Sequence, residues 1–121
     1  MTLFDELAHC RGWIEAALKH THGTHTFDDI VAGCYTGRFR LWSRKWACVV
    51  TEIHDYPQKR AVNIFLAGGD LDVIRDGMPD VAEYAKAIGA TELTMTGRSG
   101  WLRALASQGW AKSHVAMRLE I

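Results

Sequence analysis

RAVNIFLAGGDLDVI, residues 60–74, contains the change of rhythm on which the fold turns. Val62, Ile64 and Leu66 fall on one face of an extended chain, and Ala61, Asn63 and Phe65 on the other. Both faces are largely apolar, so the spacing predicts a central strand covered on two sides. Gly68-Gly69 ends the strand, and Asp70 is placed to cap a helix through its side-chain oxygen. Gly77 and Pro79 predict an interruption of that helix. Pro79 then opens a firmer helix with the stripe Val81, Tyr84, Ala85 and Ile88, ended by Gly89.

Upstream, RFRLWS (38–43) and KWACVVTEIH (45–54) also alternate. Short turns at Ser43-Arg44 and at Tyr56-Pro57-Gln58-Lys59 join them to the central strand as an antiparallel meander. Before them, Thr26 caps a helix with Asp28 and Asp29 in its first turn, the stripe Phe27, Ile30, Val31 and Cys34, and Gly37 just past its end. Leu3, Leu7, Cys10, Ile14 and Leu18 predict a first helix, with Glu15 and Lys19 as an i,i+4 pair and Gly12 as a weak point. Downstream, ATELTMTG reads as a short strand and SGWLRALASQG as the last helix. SHVAMRLEI (113–121) reads as a final strand with Val115, Met117, Leu119 and Ile121 inward. The resulting order, ααβββαβαβ, is an α/β (or α+β) single domain over 1–121: a mixed central sheet with helices on both faces.

The totals agree with one globular domain. Of 121 residues, 48% are apolar and 23% charged, and fourteen basic residues balance fourteen acidic ones. With no net charge there is no global electrostatic case for a nucleic-acid or membrane partner. No apolar run approaches the ~20 residues that span a bilayer. Asp5 and Glu6 in the opening residues argue against a signal peptide. Cys10, Cys34 and Cys48 are widely spaced within apolar patterns, which predicts reduced, buried thiols in a cytoplasmic setting.

Several clusters carry chemistry or its semblance. Glu52 and His54 alternate onto one strand face, where they are either solvent-facing residues or a general base. Trp42 and Trp46 flank the basic turn Ser43-Arg44-Lys45, and Trp42, Arg44 and Trp46 together make a candidate protein-binding surface. His20, His22 and His25 lie within six residues, but no Cys, Asp or Glu inside the run completes a set, so no metal site is expected. In TGRSGW, Gly97 and Gly100 relax a turn, Ser99 caps the helix and Arg98 is solvated.

The element order, the turn in FLAGGDLDVI and the closing GRSGWLRALASQGW, with its final Gly109-Trp110, resemble the GNAT fold of N-acetyltransferases. The likeness covers nearly the whole chain in topology. It implies that Leu66, Gly68 and Gly69 would hold the pyrophosphate of coenzyme A, that Glu52 or His54 would act as base, and that acetyl-CoA would be the cofactor. The residues depart from that pattern. The family's phosphate loop has the form Q/R-x-x-G-x-G/A, whereas this run is Leu66-Ala67-Gly68-Gly69-Asp70, with a carboxylate where an anion would sit. The family's acidic Tyr in the closing helix falls in register with Leu105, near Ser107, and neither replaces a phenol. The sequence is also similar to small GNAT-fold proteins of tailed bacteriophages. That implies a phage accessory or virion-associated protein, in the virion or host cytoplasm, acting as an interaction module with a degenerate coenzyme A site. The alternative is an acyl-CoA-dependent N-acetyltransferase acting on a host or phage amine. A homo-oligomer stays open.

Overall fold

The computed structural model describes residues 1–97 and 99–121, with the Ser99 side chain also outside the description. The expected solvated Arg98 and Ser99 cap therefore lie outside the described residues. The elements run α1 (Leu3–Leu18), α2 (Phe27–Thr36), β1 (Phe39–Ser43), β2 (Ala47–Asp55), β3 (Arg60–Gly69), α3 (Leu71–Ala87), β4 (Glu92–Met95) and α4 (Ser99–Leu105), with a 3-10 turn at Ala106–Gln108. One sheet has the order β1-β2-β3-β4. The first three strands form the expected antiparallel meander, and β4 lies parallel to β3.

Local chemistry sets the boundaries. Thr2 and Thr26 each close a capping box, with Asp5 and Asp29 reaching back to the cap N–H, so α1 and α2 begin where two orphan amides are satisfied. Gly37 ends α2 at φ 85°, a left-handed conformation in which a Cβ is strained. α1 and α2 cover one sheet face, where Leu7, Cys10, Ile14 and Ile30 pack on Phe39, Cys48, Val50 and Leu66. On the other face Ile74, Met78, Val81 and Ala85 of α3 and Leu105 of α4 cover Val49, Val62 and Ile64.

Three expectations are corrected. Leu66 does not share a face with Val62 and Ile64. The β2–β3 register shifts between Val50 and Thr51, which pair with Leu66 and Ile64. This bulge leaves Phe65 unpaired in the register and turns both Phe65 and Leu66 toward α1 and α2. Second, Gly77 and Pro79 do not interrupt α3, which is continuous over 17 residues. Pro79 deprives only the Arg75 carbonyl of its intrahelical N–H, and the Gln108 side chain donates to that carbonyl instead, at 2.8 Å. Third, residues 111–121 form no strand and are exposed throughout. Their alternation finds no neighbouring strand within this chain, and period alone cannot make a ladder.

The thiols divide. Cys10 and Cys48 are buried, whereas Cys34 is only half-buried. No helix among the described residues is long and apolar enough to cross a membrane.

Candidate functional site

The β3–α3 junction is built from two glycines and an aspartate, and each has a structural task. A Cβ on Gly68 would lie 2.8 Å from Trp13 Cβ and 2.9 Å from the Trp13 carbonyl oxygen, so the missing side chain lets α1 lie directly on β3. Gly69 has φ 101°, and a Cβ there would lie 2.6 Å from Ala47 Cα. Asp70 caps α3: its Oδ1 accepts from the amides of Asp72 at 2.9 Å and Val73 at 3.2 Å. Those N–H groups are the donors that a phosphate at a helix N-terminus would need. Here a fixed carboxylate accepts from them and adds negative charge at the same place.

β4 pairs with β3 only from Ala61 to Ile64. Beyond Ile64, β3 continues through the bulge to Gly69, and among the described residues no strand pairs with it on that side, because β4 ends at Met95.

A polar string crosses the sheet on the near side of that bulge. Thr94 Oγ1 on β4 donates to Asn63 Oδ1 on β3 at 2.9 Å, and Asn63 Nδ2 donates to Glu52 Oε1 on β2 at 3.2 Å. His54 Nε2 lies 2.9 Å from the same Glu52 oxygen, and Tyr56 Oη lies 3.3 Å from His54 Nδ1. With Glu52 as acceptor, Nε2 carries the hydrogen and Nδ1 accepts from the tyrosine hydroxyl. The second Glu52 oxygen sits 4.0 Å from Arg38. The Glu52 side chain is only 13% exposed, so it is not the freely solvated strand residue that alternation suggests. The string joins both expected base residues, Glu52 and His54, and adds Asn63, Thr94, Tyr56 and Arg38. Sequence reasoning missed these four: Asn63, Thr94 and Arg38 join the string only through strand register, and Tyr56 reaches His54 from the turn just after β2. Asn63 and Gly68 lie five residues apart on β3, about 16 Å at ~3.3 Å per residue. The structure thus places Glu52 and His54 on one side of the bulge and Gly68 and Gly69 on the other, with the expected cofactor residue Leu66 at the bulge, buried under α1 and α2.

Leu105, in the register of the resembled family's tyrosine, is buried in the α3-side core and carries no acidic hydrogen. His25 packs edge-on against Phe39 and Phe65, which stack with centroids 5.3 Å apart. Among the described residues no three His, Cys, Asp or Glu side chains gather as a metal-holding group.

Of the expected partner surface, Trp46 is 61% exposed with the Lys45 ammonium over its ring, and Arg44 is exposed and paired to Asp80 at 3.1 Å. Trp42 is committed to the fold. It is partly buried on the α3-side core, edge-on to Tyr84, and its Nε1 donates to the Thr51 hydroxyl at 3.0 Å.

Under α1, Cys10 donates to Ser43 Oγ at 3.6 Å, and Ser43 pairs with Cys48 across β1 and β2. A hydrogen bond with Cys48 lowers the Cys10 thiol to about 7 against the opposing effect of burial, and the same bond raises Cys48. Burial alone raises Cys34, to about 11.

No protein-family model matches this chain, and no curated protein matches it. Solved structures do match over almost its whole length. An acetyltransferase from Trypanosoma brucei superposes with TM-score 0.66 at 11% identity, over 97% of this chain and 94% of that one. An aminoglycoside acetyltransferase from an uncultured soil metagenomic sample, solved with sisomicin, superposes with TM-score 0.63 at 9% identity, over 98% and 91%. The BH1408 protein of Bacillus halodurans, solved as a tetramutant, gives 0.66 at 14%, over 98% and 93%. The chain therefore has the acetyltransferase-like, GNAT-type fold. At these identities the likeness is one of fold, and function has to be argued from the site.

Proposed function

We propose that this chain is a binding protein on an acetyltransferase scaffold, an interaction module with a degenerate coenzyme A site. One observation carries the reading: Asp70 Oδ1 already accepts from the Asp72 and Val73 amides at the start of α3. A pyrophosphate brought there would have to displace a carboxylate held by two hydrogen bonds, and would meet its charge if it did not. The neighbouring glycines support the same view, since Gly68 is closed against Trp13 and Gly69 against Ala47. The binding face is the turn carrying Arg44, Lys45 and exposed Trp46, an aromatic anchor beside cations, and it suits a protein partner. The phage or virion setting rests on the sequence resemblance alone.

Calorimetry with acetyl-CoA tests the reading. The expected result is no binding heat at millimolar ligand for the wild-type chain. Micromolar binding would overturn it. A second reading, an N-acetyltransferase, is favoured by the stretch of β3 beyond Ile64 that β4 leaves unpaired, close to the Glu52–His54 pair. It requires acetyl-CoA binding in that titration, together with acetyl transfer that falls at least tenfold in Glu52→Gln.

A further inference from the structure

Residues 111–121 follow Trp110, which packs on the α3-side core. Every one is exposed, and among the described residues none makes a backbone–backbone hydrogen bond. Val115, Met117, Leu119 and Ile121 stand in solvent at alternate positions, with His114, Arg118 and Glu120 between them. Four large apolar side chains at alternate positions are costly to leave in water and have the sequence pattern of a half-buried strand.

Among the described residues, the sheet edge at β4 lacks a further strand. β4 is last in the sheet order and pairs only with β3. An edge of this kind offers a row of N–H and C=O groups to any extended segment. The faces of β4 match the tail. Leu93 and Met95 lie on the α3-side core. Glu92 holds Lys59, and Thr94 bonds Asn63, on the face of the polar string. A tail strand with Val115, Met117 and Leu119 on the Leu93–Met95 side would extend the α3-side core. Its Arg118 and Glu120 would then extend the polar face that contains Glu92.

We propose that the occupant of this edge is the 113–121 segment of a second copy, exchanged reciprocally so that each copy's tail adds a strand to the other's β4. Each chain carries both halves of the contact and, alone, satisfies neither. Two copies related by a two-fold axis satisfy all four at once without a further protein. Only four tail residues are needed to match Glu92–Met95.

Light scattering on the full chain after size exclusion, at micromolar concentration, is the test. The expected result is the mass of two chains, falling to one in Met117→Asp/Leu119→Asp with the circular dichroism spectrum unchanged, because both side chains are solvent-exposed within one copy. A one-chain mass for the wild type would overturn the proposal, as would a two-chain mass that survives the double substitution. A second variant, Thr94→Cys/Arg118→Cys, is expected to give a covalent dimer on mild oxidation with a copper–phenanthroline catalyst and oxygen. A disulfide closed within one chain would place the tail on its own β4 and overturn the exchange.

Discussion

Gln108 Nε2 donates to the Arg75 carbonyl across 2.8 Å, four residues before Pro79, whose nitrogen has no hydrogen to offer. The contact links the 3-10 turn after α4 to the middle of α3. Gln108→Ala should therefore destabilise the chain by about 1 kcal/mol, the usual net worth of such a bond. In a Pro79→Ala background, where the helix supplies its own N–H, the same change should cost measurably less. A double-mutant cycle by urea unfolding checks the coupling, and equal costs in both backgrounds would contradict it.

Thr51 is a buried polar residue whose hydroxyl accepts from the Trp42 indole. Thr51→Val should cost about 1–3 kcal/mol, because it leaves the indole N–H without its partner. Trp42→Phe should cost less in that variant than in the wild-type chain, since no donor is then stranded and only the packing of the indole is lost. Thermal unfolding of the two single variants and the double variant reads the difference.

Three glycines should respond differently to alanine. Gly68→Ala places a Cβ against the Trp13 main chain, and Gly69→Ala strains a left-handed backbone as well, so each should lose about 1–3 kcal/mol or more. Gly12 lies within α1 with open space around a Cβ, so Gly12→Ala should gain about 0.5–1 kcal/mol. Melting temperatures that move in the same direction for Gly12 and Gly68 would refute this account.

Arg60 holds Asp55 across the β2–β3 turn at 2.6 Å and also donates to the Ile88 carbonyl at 2.8 Å. The hydrogen bond from Arg60 lowers the Asp55 carboxyl below its ordinary range. A depressed acid contributes stability above its unfolded pKa, and that contribution fades as pH falls through the folded value. Carbon-detected NMR titration should show Asp55 ionising below the ordinary aspartate range, and Arg60→Gln should raise it back toward that range. A titration unchanged by that substitution would remove Arg60 as the cause.

Much of the fold is readable from the residues because its elements begin and end on local chemistry. Thr26 with Asp29, Gly37, Asp70 and the Tyr56–Lys59 turn each act within a few positions of themselves. What alternation misplaced depends on distant partners. The bulge that turns Leu66 over is set by the β2–β3 register, α3 continues through Pro79 with help from Gln108, and the 113–121 strand lacks a neighbour within one chain. At the site, Asp70 could be identified as a cap from its place before a helix. The link from Glu52 through Asn63 to Thr94 could not, since it joins three strands separated by turns and a helix.

The close seat of Gly68 beneath Trp13 also ties the first helix to the central strand through main chain rather than through pliable side chains. A single methyl at residue 68 would meet Trp13 Cβ at 2.8 Å and its carbonyl oxygen at 2.9 Å, so neither surface can yield without carrying its whole element along. The helix and the end of β3 are thus bound to travel as one piece.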